Sequence, residues 1–148
     1  MTTRKRILYG PEHAQDLKMV IALSRAVNAH SKAALEVFRK YGLTTAQFAV
    51  LEVLFHKGPL KIGEITEKIL STAGNMTVVI QNMERGGLIE CRQHPKDSRA
   101  RLVSMTDKGA AILRELFPDY LEVVRNVFSP LTDEEKQVVT QLLKKLKK

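Results

Sequence analysis

The chain has 148 residues, 44% of them apolar, a formal net charge of +8 and one cysteine, Cys91. That length suits a single domain; the lone cysteine excludes an intrachain disulfide, and without clustered Cys or His at ligand spacing no zinc fold, other metal site or cofactor is expected. No run of about 18 apolar residues could span a bilayer and the N-terminus lacks the apolar core of a signal peptide, so a cytoplasmic protein without membrane contact is expected.

Much of the excess positive charge lies at the two ends, in Arg4, Lys5 and Arg6 and in Lys144, Lys145, Lys147 and Lys148, where solvated basic tails are common. After the turn signal Gly10-Pro11, residues 15–41 contain no Gly or Pro and predict one long helix. Its apolar stripe, Leu17, Val20, Ile21, Val27, Leu35 and Phe38, is interrupted by Asn28, His30, Ser31 and Lys32, so part of it is expected to face a cavity or a partner chain. Gly42 ends this helix, and Thr44-Thr45-Ala46-Gln47 is a capping box that starts the next, running to about His56 with Phe48, Leu51, Val53, Leu54 and Phe55 as its apolar residues.

Beyond the Gly58-Pro59 turn, residues 61–69 place Ile62, Ile65 and Ile69 on one stripe of a short helix. Residues 70–74 break that pattern, and a hydroxyl at Ser71 or Thr72 can cap a fresh helix reaching to about Arg85. Met76, Val79, Ile80 and Met83 face inward along it, leaving Asn75, Thr77, Val78, Gln81 and Asn82 outside. Gly86-Gly87 permits the positive φ that ends it; residues 88–93 and 101–105 then read as two strands joined by a polar tip from His94 to Ala100. Arg92, Lys96, Arg99 and Arg101 collect on that hairpin, where Asp97 is the only acid between Arg92 and Arg101. Protruding bases of this kind are placed to meet phosphates.

Thr106 is a predicted N-cap for a helix that Pro118 is expected to kink, and Thr132-Asp133-Glu134-Glu135 is a second capping box, opening a last helix with Val138, Val139, Leu142, Leu143 and Leu146. The fold class is therefore mainly α with a small β wing: a winged helix-turn-helix lobe flanked by long terminal helices. In one subunit the end helices would expose large apolar stripes, which pairing between two chains would cover. Catalysis has no support, because no nucleophile–base set, paired carboxylates or Gly-rich phosphate loop stands out, and no enzyme is expected.

Five motifs in order resemble the MarR regulators of bacteria: Thr44-Thr45-Ala46-Gln47-Phe48-Ala49-Val50-Leu51, Gly58-Pro59-Leu60, Gly87-Leu88, Pro95-Lys96-Asp97-Ser98-Arg99, and Thr106-Asp107-Lys108-Gly109 after Leu102-Val103. The resemblance covers about residues 43–109 and implies a single domain over 1–148, with a DNA-binding lobe at 43–109 and dimerisation helices at 12–41 and 110–148. It further implies a cytoplasmic homodimer that binds double-stranded DNA, most often as a repressor. MarR wings place the arginine matching Arg99 in the minor groove, oriented by the aspartate matching Asp97; a second arginine is common where Ser98 stands here, and Lys96 can stand in for it.

On the outer helix face Asn75 and Gln81 can pair with adenine, while Thr77 and Val78 offer methyl groups to thymine. Relatives often carry a larger side chain where Val78 stands, so an A·T-rich inverted repeat is the expected site. Ser71, Thr72 and Gly74 at the start of that helix, with Lys96, Asp97, Arg99 and Arg101 on the wing, complete the candidate DNA contacts. MarR relatives also bind small aromatic acids, phenols or other lipophilic compounds between the terminal helices and the lobe, and residues 69–77 faintly resemble a branch that answers to hydroquinones. A small aromatic ligand would here meet Phe48, Phe117 and Tyr120 with Asn28 and Ser31 as polar anchors; the alternative is a solvated helix face over an ordinary core. Two other functions stay open: a redox-responsive regulator using Cys91, whose basic surroundings could lower its pKa, and a winged-helix protein-interaction module. A pure adaptor has no need of the four clustered wing bases.

Overall fold

The computed structural model describes residues 10–69 and 73–147. Ser71 and Thr72, the expected cap and two of the candidate DNA contacts, lie outside the described residues. The order is α1 (Pro11–Lys40), α2 (Thr45–Lys57), β1 (Leu60–Lys61), α3 (Ile62–Lys68), α4 (Ala73–Arg85), β2 (Ile89–His94), β3 (Asp97–Met105), α5 (Asp107–Phe128) and α6 (Asp133–Lys144).

Local chemistry accounts for the helix ends. Thr44 Oγ1 accepts from Gln47 N at 3.1 Å while Gln47 Oε1 accepts from Thr44 N at 3.0 Å, and Thr132 and Glu135 repeat the exchange at the start of α6. At the end of α4, Gly87 takes φ 75°, its N–H bonds to Glu84 O, and Leu88 N bonds back to Met83 O, the pair of contacts that defines a Schellman stop. Gly86 has no positive φ, so Gly87 alone supplies the turn expected of both glycines. The first helix begins four residues earlier than periodicity predicts: Pro11, read as a turn residue, sits at the first helical position, where its fixed φ is pre-organised and its missing N–H costs nothing. Pro118 lies inside one continuous α5.

Two corrections concern the sheet. It has three strands in the order β1-β3-β2, because the two residues after Pro59 pair with the hairpin, Leu60 opposite Val103 and Lys61 opposite Leu102. The tip expected over seven residues shrinks to Pro95-Lys96, since β2 runs on to His94 and β3 starts at Asp97. A register shift between Gln93 and His94 closes the turn. Side chains then do what the interrupted ladder cannot: Gln93 Nε2 donates to Ser98 O at 3.2 Å, and Asp97 Oδ1 accepts from Arg99 N at 3.1 Å.

The core sits under the lobe. Val50 and Leu51 of α2, Ile65 of α3, Met76 and Met83 of α4, Val103 of β3 and Leu113 and Leu116 of α5 are all fully buried. Phe55, expected in that core, is 54% exposed: it stands two turns beyond Phe48 on the same side of α2, where it meets Phe117 at the rim, 6.4 Å between ring centroids. The terminal helices contribute little to this core. On α1 only Ala34 and Phe38 are buried, α6 buries no residue, and Val20, Ile21, Val27, Val138, Leu142 and Leu146 are open to solvent in the single chain.

Candidate nucleic-acid interface

Helix α4 is amphipathic in the way its sequence suggests. Met76, Ile80 and Met83 are buried with Val79 half-buried, so Asn75, Thr77, Val78, Gln81 and Asn82 are left on the exposed side. Gly74 lies in the first turn of this helix. A band of amide groups, a hydroxyl and methyls can offer hydrogen bonds and apolar contacts to base edges without the desolvation cost of a buried charge.

The wing bases divide into two kinds. Arg92 pairs with Glu90 on its own strand at 3.1 Å, and Arg101 pairs with Glu84 of α4 at 3.6 Å. Lys96 and Arg99 are exposed, and among the described residues neither has an acid within ion-pair distance. Asp97 caps the backbone N–H of Arg99 and faces Lys61 Nζ at 3.9 Å, so it shapes the chain from which Arg99 projects. Lys61, Glu84 and Lys108 were not signalled by the sequence, because each acts on a residue distant along the chain.

The carboxyl end of α4 is tied down by the start of α5. Thr106 Oγ1 donates to Gly87 O at 2.6 Å, Lys108 Nζ donates to Gly86 O at 2.8 Å, and Thr106 N donates to Leu88 O at 3.1 Å. Carbonyls left over at a helix end are thereby satisfied, one of them by a cation favoured by the helix dipole.

Cys91 overturns the expectation that its surroundings lower the thiol pKa. It is half-buried, and burial first and the Glu84 charge second push the thiol up, against the weaker opposing influence of Arg101. A thiol held in its protonated form is a poor nucleophile and a poor target for oxidation. Among the described residues no group of three His, Cys, Asp or Glu side chains could hold a metal ion, and no helix is long and apolar enough to cross a membrane.

The residues considered for a ligand separate. Phe48 is buried, with Phe38 stacked on it at 4.3 Å between ring centroids, Tyr120 at 4.8 Å and Phe117 at 6.5 Å. These rings form one cluster joining α1, α2 and α5. Asn28 and Ser31 are exposed, whereas His30 between them reaches the cluster, with Nε2 3.2 Å from the Tyr120 hydroxyl. Burial raises the pKa of that hydroxyl, so it is present as a neutral phenol. Nearby, Asp119 accepts from Lys40 Nζ at 2.7 Å and from the Tyr41 hydroxyl at 2.8 Å, which holds its carboxyl below the usual carboxylate range. Phe117 also lines an apolar cleft of about 290 Å³ with Phe55, Leu113, Arg114, Pro118 and Leu121. A larger cleft of about 520 Å³ lies between α1 and the α5–α6 end, lined by Met19, Leu23, Val27, Phe128, Val139 and Leu143 among others.

Comparison with known proteins places this geometry. The MarR family model matches residues 43–100, the helices and most of the wing just described. The HTH-type transcriptional regulator MhqR of Bacillus subtilis is 34% identical over 132 residues, 89% of this chain and 91% of that protein. Among solved structures, a mutant MarR from E. coli complexed with operator DNA superposes with a TM-score of 0.83 at 21% identity, covering 94% of this chain and all of that one. BpsR of Bordetella bronchiseptica, whose DNA binding is regulated by 6-hydroxynicotinic acid, superposes with a TM-score of 0.79 at 24% identity, covering 88% of this chain and 99% of that one. The motifs, the matched lobe and the near full-length relative converge on one statement: the chain belongs to the MarR family and is a DNA-binding transcriptional regulator.

Proposed function

We propose that this regulator is a cytoplasmic homodimeric repressor that covers an A·T-rich inverted repeat and is released by a small aromatic ligand. The observation that carries the DNA reading is the exposed face of α4, Asn75, Thr77, Val78 and Gln81, set beside a wing whose Arg99 is exposed and unpaired by any described acid. An arginine without an internal partner can enter a narrow minor groove, where A·T-rich sequence makes the potential most negative. The unburied apolar residues of α1 and α6 support the dimer, since a second copy would remove them from water.

Selection of bound duplexes from a random pool is the deciding experiment. It is expected to return an inverted repeat with half-site centres about 10 to 11 base pairs apart, the spacing that presents successive major grooves to a two-fold dimer. Recovery of no preferred sequence would leave the interaction-module reading. Two substitutions then separate kinds of contact. Arg99→Ala is expected to weaken binding broadly, on random DNA as well as the operator, and to flatten log K against log salt by about 0.9, one phosphate equivalent. Gln81→Ala is expected to act mainly on the operator, at a cost of about 1 to 3 kcal/mol, because a lost base contact leaves random DNA unaffected. Equal losses on both duplexes would show that Gln81 reads no base.

For the ligand, the supporting features are the aromatic cluster with the neutral Tyr120 phenol, the adjoining apolar clefts, and the regulation of BpsR by an aromatic acid. A ligand shifts the equilibrium only by its differential affinity for the free and DNA-bound states. Calorimetry with salicylate, 6-hydroxynicotinic acid and substituted hydroquinones is expected to show affinity falling on the operator complex by the factor by which DNA affinity falls with ligand. Binding indifferent to DNA would exclude the compound as inducer. The elevated Cys91 thiol argues against the redox alternative.

A further inference from the structure

We propose that Glu84 is a specificity-determining residue of the DNA face, one that acts through Arg101 by holding that guanidinium away from phosphate. The inference rests on the DNA-binding reading above and assigns a role within it.

Glu84 stands in the last turn of α4, where the helix dipole disfavours a carboxylate, so helix stability does not account for an acid there. Its Oε1 lies 3.6 Å from Arg101 Nη2 on β3, which makes it a tie between the helix that presents Gln81 and the strand that leads away from Arg99. Both side chains are more than a third exposed, at 38% and 58%, and a pair so solvated adds little to folding. What it does change is the charge that DNA meets. Arg92 is engaged by an acid of its own strand, and with Arg101 engaged from α4 the wing presents Lys96 and Arg99 as its unpaired cations among the described residues. Random DNA is bound through phosphates in many poses, so a released Arg101 would always find one, whereas on an operator the base contacts of α4 fix the pose and limit what Arg101 can reach. Glu84 thus favours operator over random DNA.

Glu84→Gln keeps the shape of the side chain and removes its charge. On random duplex the variant is expected to bind about fivefold more tightly at 0.1 M salt, with a slope of log K against log salt steeper by about 0.9. On the operator the gain should be smaller, so that the ratio of specific to random affinity narrows. Melting temperature should match that of the parent, as the exposure of the pair requires. The control is the same substitution in an Arg101→Gln background, where the steepening should vanish, because there is no guanidinium left to release. Steepening that persists in that background would mean bare repulsion between Glu84 and phosphate and would overturn the proposal, as would an unchanged slope in the single variant. A parent protein that binds no duplex at any salt removes the DNA reading and this proposal with it, and the parent arm reports that outcome separately.

Discussion

Phe48→Ala is expected to destabilise the protein by about 4 kcal/mol, within the range for deleting a buried aromatic side chain. Phe48 is buried and meets three other rings, Phe38, Phe117 and Tyr120, drawn from α1 and α5. No single neighbour can collapse into the space it would leave, because those rings are anchored on two different long helices and Tyr120 is held by His30 as well. A loss of that size is a large share of the roughly 5 to 15 kcal/mol by which domains are stable, so the variant should unfold at much lower denaturant. Equilibrium unfolding at fixed protein concentration checks it, since dimerisation would otherwise shift the midpoint. Phe55→Ala is the internal control: the same deletion two turns along α2, at a residue 54% exposed, should cost under about 1 kcal/mol. Similar losses for the two would show that the cluster is loosely packed.

Gly109→Ala tests packing against propensity, which here have opposite signs. Within the first turn of α5, alanine is the better helix former by about 1 kcal/mol, so propensity alone predicts a stabilised protein. A Cβ at this position, however, would collide with the carbonyl oxygen of Leu88 and lie 3.1 Å from Met105 Cγ and 3.2 Å from Leu51 Cδ2. The Leu88 carbonyl is backbone, is already bonded to Thr106 N, and cannot rotate away as a side chain could. Overpacking should therefore prevail, with a net loss of about 2 to 3 kcal/mol in denaturant unfolding. At Gly63 on α3 an added methyl meets nothing within 4 Å, and Gly63→Ala should be neutral or stabilising by up to about 1 kcal/mol. A raised midpoint for Gly109→Ala would mean that α5 can shift from β2 at little cost.

These two sites also mark what was legible in the amino-acid sequence. The capping boxes at Thr44 and Thr132 and the stop at Gly87 depend on residues within a few positions of one another, and such exchanges can be read from order alone. The two faces of α4 were legible for the same reason, because helical periodicity sorts Met76, Ile80 and Met83 from Val78 and Gln81. Contacts between distant segments were not. Leu60 and Lys61 are too short a run to register as a strand, and only Val103 and Leu102, more than forty positions later, make them one. His30 could not be matched to Tyr120, nor Arg101 to Glu84, by any spacing rule, since helix crossings and strand register decide those meetings. The sequence gathers Arg92, Lys96, Arg99 and Arg101 on the hairpin, but only the folded geometry shows that two of the arginines are engaged by acids and that Lys96 and Arg99 are not.

The bonds from Thr106 and Lys108 to the last carbonyls around α4 have a mechanical consequence. They tie the carboxyl end of α4 to one end of α5, whose 22 residues at about 1.5 Å each make an arm of roughly 33 Å. The middle of α5 is gripped on one side by the Phe48 cluster and by the clamp of Lys40 and Tyr41 on Asp119, which together serve as a fulcrum. A pivot of about 10° there would carry the end beside α4, roughly 18 Å away, through roughly 3 Å, about the length of a hydrogen bond. A change at the fulcrum that turned α5 as a unit would therefore move the end of α4 with it.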